Sequence, residues 1–149
     1  REVSDLIFKA GFKTIRIGYE TSNPKRQKIT GGKVCNDEMV EAVTNLRLAG
    51  YRGKDIGIYL LCGLPGQSAE EVEEGIRFVH SRGARPIIAE YSPIPGTELW
   101  DEAVASSPFP IADEPLFQNN TLLPCRNDSL SYDQYQRLKM LTRTLAFNM

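Results

Sequence analysis

The chain has 149 residues, 18 of them Lys or Arg and 19 Asp or Glu, for a formal charge of −1. With 41% hydrophobic and 25% charged residues it falls in the globular range, which excludes a disordered or fibrous protein. The length suits one hydrophobic core or part of a larger one, and the near-neutral charge argues against a polyanion-binding surface spread over the whole domain.

The pattern along the chain is a repeated strand, turn and helix. A short helical stretch over about Val3 to Ala10 stops at Gly11, and Lys13 to Glu20 (KTIRIGYE) is rich in β-branched and aromatic residues, so it reads as a strand. A polar loop follows, then a helix from about Asn36 to Ala49. Asn36 is the expected N-cap, Asp37 and Glu38 suit the first-turn dipole, and Gly50 closes the end. Met39, Val43 and Leu46 give that helix one buried face.

The second unit has the same order. A strand from Ile56 to Cys62 runs into Gly63-Leu64-Pro65-Gly66, and Ser68 with Glu71 forms an S-x-x-E capping box ahead of the Val72, Ile76, Val79 stripe. A third strand, Arg85 to Tyr91, leads into Ser92-Pro93-Ile94-Pro95-Gly96-Thr97 and a short helix near Thr97 to Val104. Residues 106 to 124, with Pro108, Pro110, Pro115 and Pro124, read as irregular chain. A last helix starts at Ser131, with Gln134 completing another capping box and Tyr135, Leu138, Leu141 and Leu145 on one face.

Consecutive strand–helix units imply right-handed crossovers and a parallel sheet, either a small open sheet or part of a (β/α) barrel. Strand alternation favours the second. Parallel strands covered on both faces are almost wholly apolar, yet the first strand sets Thr14, Arg16, Gly18 and Glu20 opposite Ile15, Ile17 and Tyr19. The third sets Ile88, Glu90 and Ser92 opposite Ile87, Ala89 and Tyr91. Burying Arg16 and Glu20 unpaired would cost several kcal/mol, which a polar, ligand-holding hollow avoids; solvent at the strand ends, or mutual pairing, is the competing explanation.

Ligands of parallel α/β folds collect at the carboxyl ends of strands, and the unusual loops all fall on that edge: Glu20 to Pro24, Gly63 to Ser68, and Ser92 to Thr97. The Gly63–Gly66 turn lacks the spacing and lysine of a phosphate-binding P-loop.

These same loops resemble the second half of a radical S-adenosylmethionine (radical SAM) domain. Ile17-Gly18-Tyr19-Glu20-Thr21 is similar to the "iGvES" end of that family's fourth strand, Leu61 to Ser68 to its "GLPGET" turn, and Tyr91 to Leu99 to its "y.P.PGT.l" turn. The resemblance runs over about residues 5 to 105. It implies an α/β fold, a parallel-stranded partial (β/α) barrel over residues 1–105, with an irregular segment and C-terminal helix as an extension over 106–149. It also implies S-adenosylmethionine and a [4Fe-4S] cluster as cofactors of a full-length parent, with cobalamin as a further cofactor to consider.

By position within these motifs, the resemblance assigns Glu20 to the ribose or amino group of S-adenosylmethionine and Lys33 to its carboxylate. Tyr59 falls on a polar position of the hollow. Gly63, Leu64, Pro65, Pro93, Pro95 and Gly96 are expected to border the adenine, with Arg16, Glu90 and Gln118 as further candidates for the hollow or its rim. The chain has Cys35, Cys62 and Cys125, no Cys-x-x-x-Cys-x-x-Cys loop and a single histidine, His80, expected to be a surface residue. Cys62 and Cys35 read as small structural residues and Lys25 to Lys28 as a solvated loop face. The expectation is therefore an inactive part of a radical SAM oxidoreductase or transferase. Its partner would be a missing N-terminal half, and an exposed strand edge should make the piece self-associate. The alternative is a non-catalytic α/β binding module. Three cysteines without a secretion signal, and no apolar run near the roughly 18 residues of a membrane span, fit the cytoplasm.

Overall fold

A computed structural model describes residues 1–31 and 34–147. Among these residues three parallel strands, β1 (Ile15–Glu20), β2 (Ile56–Cys62) and β3 (Arg85–Glu90), form one open sheet in the order β1-β2-β3. The register pairs Arg16 with Gly57 and Gly18 with Tyr59, then Gly57 with Arg85, Tyr59 with Ile87 and Leu61 with Ala89.

One face of the sheet is covered. Helices α3 (Asn36–Ala49), α4 (Ala69–Ser81) and α6 (Tyr132–Phe147) supply Met39, Val43, Val72, Ile76, Val79, Tyr135 and Leu138. These close over Tyr19, Ile56, Ile58, Leu60 and Cys62 in one core. Helix α1 (Glu2–Lys9) lies outside α3, where Phe8 meets Tyr51 edge-on. The other face is open. Arg16, Gly18 and Tyr59 are exposed there, and Ile87, Leu61 and Ala89 are half-buried. Gly57 is buried beneath the Arg16 and Ile87 side chains. The period-2 alternation thus separates a dry face from a solvent-facing one.

Several local expectations need correction. Lys25 to Lys28 is not a loop but part of a one-and-a-half-turn helix, α2 (Pro24–Ile29), started by Asn23, whose side chain accepts from the Lys25 and Arg26 amides, with Pro24 at its first position. Arg26 is paired with Glu71 at 2.7 Å and Gln27 is buried, so that stretch is half internal. The N-cap of α3 is Cys35 rather than Asn36. Asn36 instead joins a polar knot: its Oδ1 accepts from the Tyr19 hydroxyl and from Gln27 Nε2 at 2.6 Å, and its Nδ2 donates to Ser22 O at 3.2 Å. The short helix after β3 begins three residues later, as α5 (Trp100–Ser106), and two single 3₁₀ turns, Pro115–Gln118 and Asn120–Leu122, interrupt the irregular segment.

That segment is packed, not loose. Ile111 and Cys125 join Ala103 in a second small core with Tyr91, Trp100, Phe109 and Phe117 against it. Leu123, at φ 49°, sits against Gly63, and Asn127 Nδ2 donates to Gln67 O at 3.2 Å. Residues 106–130 therefore brace the loops after β2 and β3.

Candidate functional site

A cleft of about 310 Å³ opens at the carboxyl ends of the three strands. Glu20 comes from the end of β1, Leu61 from β2, and Tyr91 and Ser92 from the exit of β3. Its outer walls are Ile29, Thr30 and Gly31 at the end of α2, and Ile94 with Thr97 to Leu99 before α5. The volume is at the lower end of the range for small-molecule sites, and the lining is mostly apolar with a few polar groups, as such sites usually are.

Glu20 owes its place to a backbone irregularity. The pairing of β1 with β2 slips between Gly18 and Glu20, and Glu20 adopts φ 73°, in the left-handed region that a non-glycine residue avoids at a cost of about 1 kcal/mol. The Thr21 amide closes onto Tyr19 O at 3.0 Å around it. The side chain folds back over the open face, with Oε1 3.6 Å from the point a Cβ on Gly18 would occupy. The polar knot of Tyr19, Gln27 and Asn36 holds the loop beyond it, and burial pushes the Tyr19 hydroxyl up to about 12, so it stays protonated and can donate to Asn36 at neutral pH.

The turn after β2 is held from inside. Gln67 is 1% exposed; its Oε1 accepts from the Gly63 amide at 2.8 Å and the Leu64 amide at 3.2 Å, while its Nε2 donates to Leu61 O at 3.2 Å. Arg26 Nη1 donates to Pro65 O at 2.9 Å. Gly63, Leu64 and Pro65 are buried, and the Gly63 and Leu64 amides face Gln67, so they shape the edge of the cleft from behind rather than line it. Gln67 was not singled out from sequence, although a polar residue inside a glycine–proline turn is the signal that would have found it.

The remaining expected residues divide. Tyr59, 39% exposed, stands on the open face beside Gly18, one row below the cleft. In the turn after β3, Pro93 is buried and Pro95 and Gly96 are exposed, while the neighbouring Ser92, Ile94 and Thr97 face the cleft. Lys33 lies outside the described residues. Arg16 is exposed on the open face, but its guanidinium reaches the opposite end of the strands, donating to Ile15 O at 2.9 Å and Asp55 O at 3.3 Å. Gln118 donates to Ile111 O at 2.9 Å, and its carbonyl accepts from Ser92 Oγ at 2.6 Å, so it braces the β3 exit.

Glu90 is not in the hollow. It points to the covered side, where its carboxylate accepts from the Tyr135 hydroxyl and from Lys139 Nζ at 3.0 Å. Parity decides this: residues 87, 89 and 91 share the open face, and 88 and 90 do not. Tyr91 lines the cleft, yet its hydroxyl is buried without a partner among the described residues, and burial raises it to about 12.

A [4Fe-4S] cluster does not fit the residues described here. No three His, Cys, Asp or Glu residues among them come together as metal ligands, and Cys62 and Cys125 are buried while Cys35 is exposed. The cleft does fit a polar organic ligand with an apolar part, through Glu20, Thr30, Ser92 and Thr97 against Ile29, Leu61 and Ile94. No helix among the described residues is long and apolar enough to cross a membrane.

The model of the radical SAM superfamily matches residues 1–79, more than half of the chain, and the chain belongs to that superfamily. Among solved structures it is similar to coproporphyrinogen III oxidase (HemN) from Escherichia coli, described as a radical SAM enzyme. The TM-score is 0.57 at 18% identity, and the match covers 98% of this chain and 28% of that one. At that identity the likeness shows the fold. The chain spans less than a third of the length of that relative. No curated protein sequence matches it.

Proposed function

We propose that these residues form one side of the S-adenosylmethionine and substrate pocket of a larger radical SAM enzyme. Its [4Fe-4S] cluster would be carried by a part of the protein outside the described residues. The observation that carries this reading is the placement of Glu20. The chain accepts a strained backbone there, and the carboxylate is thereby brought over the open face at the mouth of an apolar cleft. A carboxylate so placed accepts hydrogen bonds from ribose hydroxyls or an ammonium group. Ile29, Leu61 and Ile94 give an adenine ring its apolar contacts, and Tyr59 extends the polar lining inward.

When bound, the cluster and S-adenosylmethionine supply radical chemistry in this family. The work of this chain is to orient the nucleoside and to keep water from it. Pro93, Pro95 and Gly96 set the shape of the outer turn, Gln67 fixes the inner one, and Lys33 is the candidate for the carboxylate of the ligand. On this reading the 149 residues alone neither hold a stable cluster nor cleave S-adenosylmethionine, and the type of reaction and its substrate belong to the whole protein.

The test is equilibrium binding of S-adenosylmethionine to the whole, cluster-loaded protein. Glu20→Gln should weaken binding by about tenfold, the worth of one charge-assisted hydrogen bond, with an unchanged melting temperature. Unchanged affinity would refute the assignment of Glu20. A brown, stable cluster with S-adenosylmethionine cleavage by the 149 residues alone would refute the shared-pocket reading.

A further inference from the structure

A second surface, independent of the cleft, lies on the far edge of the sheet. A groove of about 210 Å³ runs between β3 and α6, lined by Arg85 to Ile88 on one side and by Lys139, Thr142 and Arg143 on the other. Three cations and no carboxylate line it, and Lys139 is already paired with Glu90 beyond the groove. Arg85 and Arg143 are exposed and have no ion-pair partner among the described residues.

The outward backbone of Ile88 also has no hydrogen-bond partner among the described residues. The Tyr91 amide donates to Cys62 O at 2.9 Å, so the alternation of a parallel ladder turns residues 85, 87 and 89 toward β2 and residues 86, 88 and 90 outward. Pro86 has no amide to leave unmatched, which is the position proline takes on an edge strand. The N–H and C=O of Ile88 face the groove.

We propose that this edge is a docking site for an extended acidic segment of a partner protein, added beside β3 as a further strand. Main-chain hydrogen bonds to Ile88 would hold it, and acidic side chains on its two faces would lie against Arg85 on the open-face side and Arg143 on the α6 side. The charges select against a second copy of this chain, because two such edges would bring the arginines together.

The experiment uses the whole protein and a fluorescent short Glu–Val peptide with Glu on both faces when extended, a Lys–Val counterpart in which Lys replaces each Glu, and a Glu–Val version N-methylated on the amides of one edge in each of the two registers. The Glu–Val peptide should bind saturably, and the Lys–Val peptide and at least one N-methylated register should bind about tenfold more weakly or worse. The Arg85→Glu/Arg143→Glu pair should reverse the charge preference. Absence of saturable binding, or equal binding of both N-methylated peptides, would overturn the proposal. So would a dimer in light scattering that the same double substitution dissolves without peptide. The peptide comparisons need no variant, so they stand even where the double substitution impairs folding.

Discussion

The carboxylate of Glu20 lies over Gly18, its Oε1 3.6 Å from where a Cβ would stand, and the two residues flank the slip in the β1–β2 ladder. The arrangement combines a strained residue with a neighbour that leaves it room. Glu20→Gly should therefore make the fold about 1 kcal/mol more stable, by relieving the left-handed backbone, while weakening S-adenosylmethionine binding in the whole protein. Urea titration and equilibrium dialysis on the same samples check the opposed signs.

Gln67 gives a structural prediction of the reverse kind. Gln67→Leu would strand the Gly63 and Leu64 amides and the Leu61 carbonyl in a buried place. The expected loss is about 2–4 kcal/mol, since stranded buried groups lose hydration without a replacement partner. Chemical denaturation measures it, and a loss below about 0.5 kcal/mol would mean that the turn does not depend on this side chain.

The Glu90–Tyr135–Lys139 cluster shapes the stability profile with pH. Burial acts to raise the Glu90 carboxyl, but hydrogen bonds from Tyr135 and Lys139 outweigh it and hold the group below its ordinary value. A depressed carboxyl stabilises the fold above the unfolded value of about 4.3, and the contribution is lost as pH falls through the lower folded value. Hydrogen bonds to Tyr135 and then to Glu90 raise Lys139, so its contribution is complete below the unfolded value of about 10.4 and is lost as pH rises through the higher folded one. Glu90→Gln should flatten the acid limb and weaken the alkaline one. Melting temperature against pH for both proteins checks this, and parallel curves would refute it.

The three cysteines should separate cleanly by reactivity. Cys35 is exposed, whereas burial pushes the Cys62 thiol up to about 12 and the Cys125 thiol up to about 11. At neutral pH the native chain should take up one equivalent of a thiol reagent quickly, and three after denaturation. Fast native labelling of Cys62 would mean that the β2 core opens readily.

Gly57 closes the floor of the open face. A Cβ there would come within 2.6 Å of Ile87 Cδ1 and 2.7 Å of Arg16 Cδ. Both are ends of movable side chains, so Gly57→Ala should cost about 1 kcal/mol and Gly57→Val about 2–3 kcal/mol, measured by denaturation.

Much of the architecture was legible from local chemistry. The capping box Ser68–Glu71, the Met39, Val43, Leu46 stripe and the β-branched strands each depend on neighbours within a turn or two, so residue type alone located them. The polar side of β1 announced the open face in the same way, because period-2 alternation is a property of the strand itself. Helix α2 was missed where Asn23-Pro24 carried a capping signal that its short, charged sequence masked.

Family membership and the edge on which the loops gather were set by the order of residues along the chain, since motifs such as Gly63 to Gly66 are contiguous. Three things waited for the tertiary structure: that Glu90 faces α6, that Gly63 and Leu64 are turned inward to Gln67, and that Glu20 reaches back over Gly18. Each depends on a contact between distant segments or on a one-residue slip between paired strands. Such a slip changes the face a side chain occupies while leaving the composition and spacing of the strand unchanged.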